Sequence, residues 1–152
     1  MKDLIKIGIP SKGRLRKFAL NIFKKNKLKL ISSRGDRDLI GSIKGKQNIE
    51  IIYLHAREII EQLAGKSLDL GFSGLDLLKE SEINIQNKIK VFKKYPYGQA
   101  TLVVAIPTDF IDIFSMADLE ELAFEFKDKK KKRLRVATKY PNLTREFFYL
   151  SL

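Results

Sequence analysis

Apolar and polar positions alternate from Leu4 to Ile9 (LIKIGI), and the alternation breaks at Pro10-Ser11-Lys12-Gly13. This predicts a strand running into a glycine turn. From Leu15 the period changes: Phe18, Ala19, Ile22 and Phe23 recur at helical spacing, giving an amphipathic helix that ends near Asn26. Leu28 to Ser32 reads as a second strand, a polar segment SRGDRD follows, and a further apolar run covers Leu39 to Ile43. Ile49 to Leu54 (IEIIYL) is the clearest buried strand, and Arg57 to Ala64 a short helix stopped at Gly65. Leu68 to Phe72 (LDLGF) is another strand, after which Ser73-Gly74 opens a helix from Leu75 to about Glu80.

In the second half, Val91 to Lys94 leads into Tyr95-Pro96-Tyr97-Gly98, read as a crossover. Thr101 to Ile106 (TLVVAI) is strongly β-branched and is expected to be a central strand. Ser115 is a plausible N-cap for a helix from about Met116 to Phe126. Leu134 to Ala137 is expected as a strand, with Thr138 to Arg145 a polar turn entering a last helix. Alternation of strands and helices implies βα units, a largely parallel sheet and helices on both faces. The strand composition shifts near residue 92, so two α/β lobes are expected, 1–92 and an incomplete 93–152, facing each other across a cleft.

Composition narrows the picture. Hydrophobic residues make up 44% and charged residues 32%, enough apolar surface for a core and unlike a disordered chain. Without an apolar run of about 18 residues, no membrane helix is expected. The absence of an apolar leader, of cysteine and of all but one histidine makes disulfides, thiol chemistry and a zinc site poor readings, and a cytoplasmic location the expectation. The formal net charge of +12 raises nucleic acid as a partner, but the single stretch Lys127 to Arg135 (KDKKKKRLR) supplies half of it, seven basic residues against one acidic. Such a run is usually a solvated loop or helix end. The remaining excess is mild and scattered, and an anionic small ligand explains it as well as a polyanion does. Neither aromatic platforms among the basic residues nor a helix-turn-helix pattern supports nucleic acid.

Ligands in open α/β sheets sit at the carboxyl ends of strands, where turns and helix N-termini present backbone N–H groups. Four segments occupy such positions. Ser11-Lys12-Gly13-Arg14 offers close backbone approach and positive charge for a phosphate, or is an ordinary strand-to-helix turn. Asp69-Leu70-Gly71-Phe72-Ser73-Gly74 offers a hydroxyl and amides, or a plain N-cap, with Asp76 a helix-dipole partner. Tyr97-Gly98-Gln99-Ala100-Thr101 is placed to hinge the lobes or to line the cleft, and its spacing does not decide. Thr138-Lys139-Tyr140-Pro141-Asn142-Leu143-Thr144-Arg145 crowds hydrogen-bonding groups and two cations at one junction, though Thr144 also suits a helix cap. His55, after a buried strand, is a general-base candidate or a structural residue. Walker A, nucleophile-elbow and GxGxxG patterns are absent.

Taken in order, these segments resemble the ATP phosphoribosyltransferase family over nearly the whole chain. The family's PKGRL-type turn corresponds to Pro10-Ser11-Lys12-Gly13-Arg14-Leu15, and its arginine-rich segment to Ser33-Arg34-Gly35-Asp36-Arg37. Arg57-Glu58-Ile59 is similar to a shortened R-x-x-D-I element, and Asp69 to Gly74 to the DLGITG turn. Gly98 to Ala105 is similar to the G-x-(A/C)-x-L-V-V-A crossover, with Thr101 where some members carry a basic residue. Arg135 to Arg145 nearly reproduces the RVATKYPNLTR signature, the most specific match.

The resemblance implies a two-lobed fold like that of periplasmic solute-binding proteins, with mixed, largely parallel sheets. It implies attack by N1 of ATP on ribose C1 of phosphoribosyl pyrophosphate, with Mg2+ on the leaving pyrophosphate, at the opening of histidine biosynthesis. Such a reaction needs positioning and charge neutralisation, and neither a catalytic side chain nor a protein metal site is expected. By the matched motifs, Lys12, Arg14 and Arg57 neutralise phosphates, Ser73 and Gly74 contact a nucleotide, and Tyr140, Asn142 and Thr144 line the cleft. Gly13 and Asp69, in the same motifs, complete the substrate- and nucleotide-binding set. The family's phosphoribosyl pyrophosphate loop is expected downstream of Leu152, so this chain reads as cut short before it. The alternative reading is a non-catalytic nucleotide- or anion-binding module, or a remnant. The opening and the segment Met116 to Ala123 resemble the short form, which implies a regulatory subunit similar to histidyl-tRNA synthetase.

Overall fold

The computed structural model describes residues 4–32 and 39–151, so the arginine-rich segment 33–37 lies outside the described residues. Strand β1 (Ile5–Pro10) leads to helix α1 (Gly13–Lys25), then β2 (Leu30–Ile31), β3 (Ile40–Ile43), β4 (Lys46–Leu54) and helix α2 (Ala56–Ala64). Next come β5 (Leu70–Gly71), α3 (Leu75–Glu80), a short α4 (Ile83–Gln86) that the apolar pattern does not announce, α5 (Met116–Asp128) and α6 (Pro141–Ser151). The chain divides into two compact units, Met1–Gly98 and Gln99–Leu152.

The first unit is an α/β layer structure with one five-stranded sheet, ordered β2-β3-β4-β1-β5. Connection length decides the direction of each strand pair. Lys44-Gly45 joins β3 to β4 as a two-residue loop, with Gly45 at φ 78°, and so closes an antiparallel hairpin. β4 and β5 instead lie parallel to β1 on either side of it, Ile7 opposite both Ile51 and Leu70. The sheet is therefore mixed: a parallel centre at β4-β1-β5, with the β2–β3 and β3–β4 pairs antiparallel at one side.

Alternation along β1 sorts the two faces. Ile7 and Ile9 join Ile51 and Tyr53 against Ala19 and Phe23 of α1, the main core cluster. Gly8 points the other way, where a Cβ would stand 2.6 Å from Leu68 Cδ1 and 3.2 Å from Ile59 of α2. Gly71, its register partner, leaves similarly little room: a Cβ there would stand 2.5 Å from Ile59 Cγ2. Helix α2 thus packs down onto two glycines, with Ile59 wholly buried.

The second unit corrects two sequence expectations. Thr101–Ile106 and Leu134–Ala137 were expected as strands, but no described residue from Gln99 onward pairs in a sheet, and Leu102, Val103, Val104 and Val136 are exposed. Val91–Lys94, beside the crossover, is likewise irregular. A strand exists through its ladder; β-branched residues make a segment willing, and a neighbour makes it a strand. The helices do form. Ser115 caps α5 through a capping box: its Oγ accepts from Asp118 N–H at 3.2 Å, and Asp118 Oδ2 accepts from Ser115 N–H at 2.7 Å. Pro141 starts α6, where its missing N–H removes no intrahelical bond and its fixed φ suits the first turn.

Candidate functional site

Parallel strands bring their carboxyl ends to one edge of the sheet. Pro10 ends β1 opposite Leu54, the last residue of β4, and Ser11 N–H donates to Leu54 O at 2.7 Å. On the other side Phe72 N–H donates to Gly8 O at 3.0 Å, so the turn after β5 leaves from the same edge. Three turns therefore meet there: Ser11-Lys12-Gly13, His55-Ala56 and Phe72-Ser73-Gly74.

The first two enclose an open depression of 290 Å³, with Pro10 to Leu15 on one wall and His55 and Ala56 on the other. Lys12 stands at the N-cap of α1 in extended conformation and makes no side-chain capping bond, and the first turn of the helix holds no acidic residue. Gly13 sits at φ +82° with nothing within 4 Å of where a Cβ would be, so the turn depends on glycine for its conformation and not for space. The leading N–H groups of α1 and the exposed Lys12 and Arg14 thus give this wall a positive character. A larger depression, 360 Å³, lies at the other end of α1 between Leu20, Leu28, Leu30 and three lysines. It is not at the carboxyl ends of the parallel strands, and no hydroxyl-bearing residue lines it.

The remaining candidates fall into three places. Ser73 Oγ donates to Ala56 O at 2.6 Å, which ties the turn after β5 to the start of α2 and uses the hydroxyl within the protein. Gly74 is the N-cap of α3, where a Cβ would collide with the Asp76 carboxylate. Arg57 is exposed in the first turn of α2, one residue beyond the wall of the depression. Asp69 precedes β5, and its carboxylate accepts from Lys6 N–H at 2.8 Å while its own N–H donates to Lys6 O at 2.9 Å. That stitches β5 onto β1, away from the meeting point of the turns.

Tyr140, Asn142 and Thr144 belong to the second unit, at the start of α6. Thr138 Oγ1 accepts from Tyr140 N–H at 3.0 Å and shares a 2.9 Å hydrogen bond with Thr144 Oγ1, and Thr144 N–H donates to Tyr140 O at 2.9 Å. The threonines of the RVATKYPNLTR stretch thereby shape the turn that launches the helix. Thr138, named in the crowded segment but not in the set carried over from the family motifs, organises this turn. Across the described residues, no group of three or more His, Asp or Glu side chains is arranged to hold a metal ion, and no helix is long and apolar enough to cross a membrane.

The family model described as ATP phosphoribosyltransferase matches residues 55–151. An ATP phosphoribosyltransferase of Afipia carboxidovorans is 44% identical over 144 residues, covering 95% of this chain and 44% of the relative. One of Nitrobacter winogradskyi is 42% identical over 148 residues, 97% of this chain and 46% of the relative. One of Agrobacterium fabrum is 38% identical over 145 residues, 95% of this chain and 63% of the relative. The chain thus spans about half the length of these curated relatives.

Proposed function

The chain belongs to the ATP phosphoribosyltransferase family, and from that membership we propose that it forms the nucleotide-handling part of an enzyme that joins ATP to phosphoribosyl pyrophosphate. In this reading N1 of ATP displaces pyrophosphate from ribose C1, the first step of histidine biosynthesis. The observation that carries the proposal is the meeting of three strand-end turns around a depression whose wall is the uncapped N-terminus of α1 with Lys12 and Arg14. The leading N–H groups of α1 hold phosphate oxygens, and the two cations neutralise their charge. Gly13 lets the backbone approach the ligand. Arg57 steadies a second phosphate from the start of α2. Catalysis of this kind lies in holding C1 in line and balancing charge, and no side-chain nucleophile is called for.

The groups near the turn are cations, hydroxyls and amides, which suit phosphate oxygens and not a divalent cation. Mg2+ therefore fits this site as a companion of the diphosphate, where it supplies further charge neutralisation. Tyr140, Asn142 and Thr144 serve the same substrates from the second unit, in the two-lobed, solute-binding-protein-like arrangement that the family resemblance implies. A regulatory subunit similar to histidyl-tRNA synthetase and a cytoplasmic location complete the proposal.

The test is calorimetry of ATP or AMP binding to the chain. A charge-assisted hydrogen bond contributes about 1.5–3 kcal/mol, so Arg14→Ala is expected to weaken binding at least about tenfold. Neutralising Lys129 to Lys132 is the control and leaves affinity nearly unchanged. Equal affinity for wild type and Arg14→Ala removes Arg14 from the site.

A further inference from the structure

The first turn of α1 has little of its own to hold it in place. Its N-cap makes no side-chain bond, and Gly13 bends through a positive φ into open space. Helix ends in that condition fray. The irregular segment after α4 supplies what is missing. Tyr97 Oη donates to Arg14 O at 3.3 Å, and the Tyr97 ring stacks on Phe18 with centroids 4.2 Å apart and planes 13° apart. Arg14 and Phe18 stand four residues apart, on one face of the helix and one turn from each other. One tyrosine thus grips two successive turns. Tyr95 meets the other side of the arrangement, its ring edge-on to Phe18 at 5.4 Å and 74°, with Lys93 Nζ 5.1 Å from its own centroid. Pro96 between the two tyrosines fixes its φ and lowers the freedom of the free segment.

The tyrosines lie outside the depression, yet they hold the helix whose first turn forms its wall. We propose that Tyr97 is a positioning residue for the phosphate-binding turn: by clasping Arg14 and Phe18 it fixes the direction of the α1 N–H groups and of the Arg14 side chain. The proposal rests on the nucleotide-site reading given above. It assigns a task to the Tyr-Pro-Tyr stretch, which the matched motifs leave without one.

Tyr97→Phe and Tyr97→Ala separate the two halves of the clasp, since phenylalanine keeps the stack and loses the hydrogen bond. Two measurements on the full chain are needed: hydrogen exchange of the backbone amides of residues 16–18, the first in α1 that have a helical acceptor, and ATP affinity by calorimetry well below the melting temperature. Tyr97→Phe is expected to speed exchange and weaken ATP by about threefold each, and Tyr97→Ala by about tenfold or more, as loss of one exposed hydrogen bond and then of an aromatic pair implies. A purely structural tyrosine behaves otherwise: it lowers the melting temperature, leaves affinity alone, and is fully replaced by phenylalanine. Unchanged exchange in a folded Tyr97→Ala overturns the proposal, and so does faster exchange with unchanged affinity. If Tyr97→Ala does not fold, Tyr97→Phe carries both measurements. A wild-type chain that binds no ATP overturns the nucleotide reading and the ligand role of the clasp with it, while the exchange result still reports whether Tyr97 holds the turn.

Discussion

Gly8 and Gly71 stand side by side in register beneath α2, and neither has room for a methyl group. At Gly8 the obstacle is the end of the Leu68 side chain and at Gly71 it is Ile59, itself wholly buried, so neighbours must shift to admit a Cβ. Gly8→Ala is expected to cost about 1–3 kcal/mol by overpacking, read as a lower urea midpoint at unchanged slope. Ile59→Ala, the converse change on the same contact, leaves a cavity and is expected to cost about 2–5 kcal/mol in the same experiment. The two kinds of glycine also mark what a single sequence discloses. Gly13 is legible because it interrupts a pattern, between a strand and a helix and beside two cations. Gly8 sits inside the alternation LIKIGI and looks like any strand residue, because the constraint on it comes from Leu68 and from Ile59 of α2, both far later in the chain. Ser73 and Asp69 show the same limit from the other side. Their residue types point to ligand contacts, and the protein partners they also have, Ala56 O and Lys6 N–H, are brought to them only by the parallel pairing of distant segments.

Among the elements, α3 and α5 start where the sequence predicts, and at α5 the reason is a capping box, which is local chemistry. The hydrogen bond from the Ser115 hydroxyl, followed by those from Phe114 and Ser115 N–H, holds the Asp118 carboxyl below the usual carboxylate range. A carboxyl lowered on folding stabilises its helix above its unfolded value, about 4, and that contribution is lost as pH falls through the folded value below it. The helical chemical shifts of residues 116–120 are therefore expected to hold steady from neutral pH to about pH 5 and to weaken below about pH 4. Asp118→Asn flattens that profile, and Ser115→Ala removes the hydroxyl cap and with it the largest cause of the shift, leaving the two backbone N–H bonds. The parallel centre of the sheet was legible for the same local reason, since helices separate β1 from the hairpin and β4 from β5. A mixed sheet was expected, but which strands form its antiparallel side was not legible, because the β3–β4 direction rests on the two-residue loop at Lys44-Gly45 and not on the apolar runs flanking it. The strands expected at Thr101–Ile106 and Leu134–Ala137 fail for a third reason: propensity belongs to a segment, whereas a strand belongs to a pair.

At the scale of the molecule, the buried apolar residues are unevenly shared. Apart from Leu119, every described residue of the buried core lies in Met1–Gly98. Residues 1–98 expressed alone are therefore expected to melt cooperatively with the sheet intact, followed by circular dichroism, whereas residues 99–152 alone give a broad, weakly cooperative loss of helix. A non-cooperative melt of 1–98 would show that the second unit contributes to the stability of the first. The exposed Thr101–Ile106 stretch has a different consequence, one that concerns the chain in a tube. Six residues with no charge, no proline and mostly β-branched or aliphatic side chains, with Val103 69% exposed, have the make-up of a steric-zipper segment. Stored concentrated, the protein is expected to develop thioflavin fluorescence after a lag, and Val103→Lys to lengthen that lag by placing a charge in every layer of the stack. Shelf life would then be governed by these six residues, and a single lysine would be the additive that matters.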